Sequence, residues 1–67
     1  MIQVTVNGAA QRFEKPLAVS ALIEKMALAG KKIAVERNGE IVPRSLHRQI
    51  VVEDGDRLEI VVAVGGG

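Results

Sequence analysis

Gly65, Gly66 and Gly67 close the sequence, and they are the residues whose type and spacing point to chemistry. Glycine has no Cβ and the largest backbone freedom to lose, so a run of it builds no core and leaves a thin, extendable carboxyl end. With glycine near 7% of average composition, three in succession at one end arise by chance in roughly 3 of 10,000 chains. The Gly67 carboxylate is therefore the candidate reactive group, presented by Gly65 and Gly66, and residues 65–67 are expected to be a flexible tail. The chemistry open to such an end is acyl chemistry, with an unhindered carboxyl carbon delivered into a narrow cleft where Cβ atoms on Gly66 or Gly67 would crowd the approach. Gly-rich ends also occur as frayed termini and linkers. Here no serine accompanies the glycines, and the apolar run from Ile60 to Val64 leads directly into them.

The rest of the chain offers no catalytic constellation. His47 is the single histidine and cysteine is absent, which argues against a metal site and against Cys/His or Ser/His/Asp catalysis, and leaves His47 as a surface or half-buried residue. Asp54 and Asp56 flank Gly55, a pattern that forms turns far more often than paired catalytic carboxylates. No helix follows the terminal glycines to receive a phosphate, so they are not read as a phosphate-binding loop. Lys31, Lys32, Arg37, Arg44 and Arg48 raise a second class of function, a module binding nucleic acid or protein. Against nucleic acid stand a net charge of +1 and a single aromatic residue, Phe13, because single strands are held by stacking and duplexes by a basic field. A solvated face is the expected role of these bases.

The elements that would position the tail follow from periodicity. Ile2, Val4 and Val6 alternate with polar residues up to Asn7-Gly8, a tight-turn pair, so a hairpin partner is expected over 10–14 with Phe13 facing inward. Val19, Leu22, Ile23 and Met26 stand at i, i+3, i+4 and i+7, the stripe of an amphipathic helix of about three turns ending near Gly30, although Ala18 offers no capping side chain. Residues 33–37 and 40–42 make a second hairpin about Asn38-Gly39. Pro43 stops it, and residues 44–49 read as a turn or short 3₁₀ segment. Ile50 and Val51 suggest a brief strand or core contact. Beyond the Asp54-Gly55-Asp56 turn, Leu58, Ile60 and Val62 alternate with Glu59, Val61 and Ala63, so only the first set faces the core. Val61 and Ala63 then point away from the helix and form a candidate docking patch beside the tail. With 67 residues and no disulfide, aliphatic packing must suffice for one domain, residues 1–67. The pattern ββαββ implies an α+β domain, one helix on a mixed sheet with the last strand beside the first, which matches the β-grasp fold. Neither a signal peptide nor a membrane span is expected, and the cytoplasm is the expected location.

Three segments carry a family resemblance: residues 1–8 ending in Asn7-Gly8; Asn38-Gly39-Glu40-Ile41-Val42-Pro43-Arg44-Ser45; and Asp54-Gly55-Asp56-Arg57-Leu58-Glu59-Ile60-Val61 running on to the terminal glycines. They resemble the ubiquitin-like sulfur carriers, most narrowly the ThiS family of thiamine biosynthesis. The terminal di-glycine is shared with ubiquitin and with the small subunit of molybdopterin synthase, so a molybdopterin-type sulfur carrier and a ubiquitin-like modifier stand as the alternative readings; the segment from Asn38 to Arg44 makes the narrower resemblance. Family members often have a threonine where Ala18 stands. The resemblance implies a carrier and not an enzyme, with no bound cofactor or metal. It also implies an adenylyltransferase of the ThiF type joining AMP transiently to Gly67, a cysteine desulfurase relay supplying sulfur, and a thiocarboxylate, the C-terminal thioglycine, that serves thiazole synthase of the ThiG type. Nucleic acid and membranes are not among the implied partners. Adenylation makes physical sense: a carboxylate is a poor electrophile, and AMP is a stabilised leaving group that a sulfur nucleophile can displace.

Overall fold

A computed structural model of the chain describes residues 1–63; the predicted reactive residues Gly65, Gly66 and Gly67, with Val64, lie outside the described residues. The alternation at the start gives β1 (Ile2–Val6), whose three apolar side chains are buried. Asn7 and Gly8 take φ of 50° and 84°, both positive as a type I′ turn requires, and return the chain as the antiparallel β2 (Ala9–Phe13). Phe13 packs against the core while remaining partly exposed. A two-residue strand, β3 (Leu17–Ala18), then leads into α1 (Val19–Lys25), which buries Val19, Leu22 and Ile23, with Met26 partly buried beside them.

The helix differs from expectation at its C-terminal end. It has seven residues, about two turns, and stops before Gly30. Ala27 takes φ of 61°. Its N–H donates to the Glu24 carbonyl and the Leu28 N–H to the Ile23 carbonyl, each at 3.0 Å, the paired bonds of a Schellman closure. Glycine usually fills the position held here by Ala27. The closure brings Leu28 back against the core, so the apolar contact overrides a residue type that disfavours the left-handed region. At the other end Ala18 makes no side-chain cap bond, as expected. Backbone carbonyls replace it: the Val19 N–H donates to Ile50 at 2.9 Å and the Ser20 N–H to His47 at 2.8 Å.

Next come β4 (Ile33–Arg37), the Asn38-Gly39 turn with φ of 51° and 86°, and β5 (Glu40–Val42). A single 3₁₀ turn covers Arg44–Leu46, after which β6 (Val51–Val52) pairs antiparallel with β3, and β7 (Arg57–Val62) ends the described structure. The main sheet has the order β2-β1-β7-β4-β5, with β1 and β7 parallel at its middle. Its five strands are one more than ββαββ counts, because both the Asn38 hairpin and β7 join it. Leu58 and Ile60 are buried as the alternation predicts, but Val62 is 37% exposed. Val62 pairs with Ile33, the half-buried first residue of β4, at the margin of the core.

Candidate functional site

The element that leads toward the glycines is β7, and its neighbours fix it from both sides. Along β4 it is paired from Ile33 opposite Val62 to Arg37 opposite Leu58, and the Ala63 N–H adds a 2.8 Å bond to the Lys32 carbonyl. On the other side β1 pairs only at Thr5 with Arg57 and Val6 with Leu58 before the chain turns away at Asn7. The Asn7 side chain continues what the strand leaves unfinished. Its Oδ1 accepts from the Ile60 N–H at 2.7 Å and its Nδ2 donates to the Ile60 carbonyl at 3.0 Å, so an amide group stands in for one more strand residue.

Asn38 does the corresponding work at the start of β7. Its backbone N–H donates to the Arg57 carbonyl at 2.7 Å and its Oδ1 accepts from the Arg57 N–H at 2.9 Å. Its Nδ2 donates to Asp56 at 3.1 Å. The buried Asp56 carboxylate also accepts from Arg37 Nε at 2.8 Å and from the Glu53 N–H at 2.9 Å. Burial pushes this carboxyl up, but the Glu53 N–H and the Arg37 and Asn38 side chains together outweigh it and hold the carboxyl below its ordinary value of 3.8. Asp54 and Asp56 are thus turn residues, as the sequence suggests, and Asp56 is also the anchor of a buried network. Nothing in the spacing announces the second role of Asn7, Asn38 or Asp56. Asparagine before glycine is explained by the turn alone.

Val61 and Ala63 lie where alternation puts them, on the outer side; Val61 is 62% exposed. The register adds Ala34, directly opposite Val61, and Ile41, opposite Glu36 on the next strand and 74% exposed. The same alternation, read along residues 33–35 and 40–42, marks both as outward-facing. His47 is more buried than expected, at 9% exposure, because the 3₁₀ turn folds it inward to place Nε2 3.2 Å from the Val42 carbonyl oxygen. Of the basic residues, Arg37 is taken up by Asp56, whereas Lys31, Arg44 and Arg48 line one groove beside α1. Among the described residues no three His, Asp or Glu side chains converge as a metal site, and no helix is long and apolar enough to cross a membrane.

A five-stranded mixed sheet carrying one helix, with its first and last strands parallel at the centre, defines a β-grasp, or ubiquitin-like, domain. The crystal structure of the thiamine biosynthesis protein ThiS from Geobacter metallireducens superposes with a TM-score of 0.84 at 32% identity, covering 98% of this chain and all of that one. The chain belongs to the ThiS family, whose model matches residues 4–67. The sulfur carrier protein ThiS of Bacillus subtilis is 33% identical over 63 residues, covering 92% of this chain and 96% of its own length. A thiazole synthase from Paramagnetospirillum magneticum is 44% identical over 66 residues; the chain spans 20% of that protein's length.

Proposed function

We propose that this chain is a sulfur carrier for thiazole formation in thiamine biosynthesis, a protein co-substrate and not a catalyst. The observation that carries the reading is a family match that runs through the last residue, Gly67, on a fold whose central strand heads toward it. An adenylyltransferase of the ThiF type transfers AMP from ATP to the Gly67 carboxylate with loss of pyrophosphate; persulfide sulfur from a cysteine desulfurase relay then displaces AMP, and a thiol reductant supplies the two electrons that leave it as the thiocarboxylate. Thiazole synthase then takes the sulfur. A thiazole synthase partner is favoured over the molybdopterin branch by the synthases that carry a segment similar to this chain within their own polypeptides. Val61 and Ala63, with Ala34 opposite Val61, form the apolar patch on which the partners dock, and the exposed Glu36 and Glu59 separate it from Ile41, so that binding energy from this patch positions Gly67.

Intact-mass analysis after incubation with ATP, a sulfur donor and the adenylating partner tests the reading. Oxygen-to-sulfur exchange at Gly67 is expected in the full chain and not in a chain lacking Gly67. Absence of exchange in the full chain, or exchange in the truncated one, overturns it.

A further inference from the structure

A groove of about 690 Å³ runs between α1 and the 3₁₀ turn. Its wall carries Lys31, Arg44 and Arg48 against one carboxylate, Glu24, a local balance of +2 (three cations less one anion) in a chain whose total is +1. The remainder of the molecule therefore sums to −1, so the chain's small positive excess sits in the wall of this groove. Among the described residues none of these three cations makes an ion pair, Glu24 included as a partner; the one ion pair described is Arg37 with Asp56. Beneath the charges lie Ile23, Leu28 and Ile33.

Position gives the groove its meaning. Its wall includes Lys31 and Ile33, and the residue between them, Lys32, accepts the backbone bond from Ala63, while Ile33 pairs with Val62. The groove thus opens beside the end of β7, where the chain passes on toward Gly67.

Resting on the sulfur-carrier reading, we infer that this groove receives an acidic segment of the adenylating enzyme, one whose carboxylates meet Lys31, Arg44 and Arg48 while its aliphatic side chains cover Ile23, Leu28 and Ile33. Charge complementarity selects that occupant. A nucleic acid would want stacking surfaces, and the chain's one aromatic residue, Phe13, lies on β2 and not in this wall. A free phosphate would meet only the solvated ends of exposed side chains and would leave the apolar floor uncovered. An acidic, aliphatic segment uses both parts of the groove, and held there it steers the carrier and aligns its C-terminus.

The test is steady-state kinetics of the adenylating enzyme with the full chain and with Arg44→Glu/Arg48→Glu. Both side chains are exposed, so the melting temperature is expected to be unchanged. The KM for the carrier is expected to rise about tenfold or more at unchanged kcat, and the wild-type KM to climb with salt more steeply than the variant's. Arg44→Lys/Arg48→Lys, which keeps the charge, is expected to retain most of the affinity. An unchanged KM in the folded charge-reversed variant overturns the inference. Independently, ¹⁵N-labelled full-length chain is titrated with a synthetic peptide in which glutamate alternates with leucine. Shifts at the amides of Lys31, Ile33, Ser45 and Arg48, absent with the lysine-leucine peptide, support the groove. The same shifts with inorganic phosphate alone, or shifts confined elsewhere, count against it. If the wild-type chain is never adenylated, the carrier reading fails whatever the peptide does.

Discussion

Asn7 is the residue at which the support of β7 can be cut with least collateral change. Replacing it with glycine removes both side-chain bonds to Ile60 yet leaves the positive φ of 50° unstrained. Two part-buried hydrogen bonds at about 0.5–1.5 kcal/mol net each, plus roughly 0.5–1 kcal/mol for the freedom glycine gives the unfolded chain, amount to a loss near 2–3 kcal/mol. In a domain of this size that lowers the melting temperature on the order of 10–20 °C. Asn7→Ala loses the same bonds and keeps the Cβ that Asn7 already holds in the left-handed region, without the glycine entropy, so its loss is expected to be about 1–3 kcal/mol from the two bonds. Urea unfolding gives the totals, and native-state amide exchange gives the location. The Ile60 amide is expected to lose protection in both variants, well before the amide of Val35 on the far side of β7. If Asn7→Gly stays within about 0.5 kcal/mol of wild type with Ile60 still protected, the side-chain bonds do not hold the strand and the reasoning fails.

Ala27→Gly is expected to stabilise the fold by about 1 kcal/mol, since glycine fits the left-handed closure of α1; an unchanged urea midpoint would show that Ala27 bears no strain there. Asp56 has a folded pKa below its ordinary value, so its contribution is present above the unfolded pKa and is lost as pH falls through the folded one. Melting temperature should accordingly hold from neutral pH down to about 4 and drop below that, with a smaller drop in Asp56→Asn, whose melts would refute the network if their acid limb matched the wild type. Val61→Asp changes an outward side chain, so stability is expected to move by no more than about 1 kcal/mol while calorimetry shows weaker binding to the adenylating enzyme and to thiazole synthase. Unchanged affinity for both would remove the outer face from the docking surface.

What the sequence disclosed is what local chemistry decides. Asn-Gly pairs force their turns, alternation assigns the faces of β1 and β7, and the spacing of Val19, Leu22 and Ile23 identifies the helix, because in each case the signal lies within a few residues of its effect. Features that depend on distant chain segments were silent. The end of α1 is set by burial of Leu28 against the core and overrides the preference of Ala27. Its start is satisfied by carbonyls from His47 and Ile50, so Ala18 reads as a defect in sequence and is none in the fold. The pairing of β3 with β6 rests on two residues from each, too few for a periodic pattern. The candidate reactive end rests on glycine composition and lies outside the described residues, whereas the groove joins residues from three separate stretches that no spacing rule connects.

These silent features bear on how a carrier of this kind would deliver its end. Binding energy gathered on the face around Val61, or in the groove beside Lys31, can orient Gly67 only if β7 transmits it without slipping. A slip of one residue would move Leu58 and Ile60 to the outer side and bring Val61 inward, exchanging core for docking face. Ladder bonds alone resist such a slip weakly, since a shifted strand can form a new ladder. Asn38 at Arg57 and Asn7 at Ile60 resist it differently, because each recognises the N–H and the carbonyl of one residue from a fixed turn. A register shift would break both clamps at once and drag Arg57 away from the turn that Asp56 secures through Arg37 and Asn38. The two Asn-Gly turns therefore serve the hairpins with their backbones and also fix the register of the central strand, Asn7 through its side chain and Asn38 through its side chain and its own N–H.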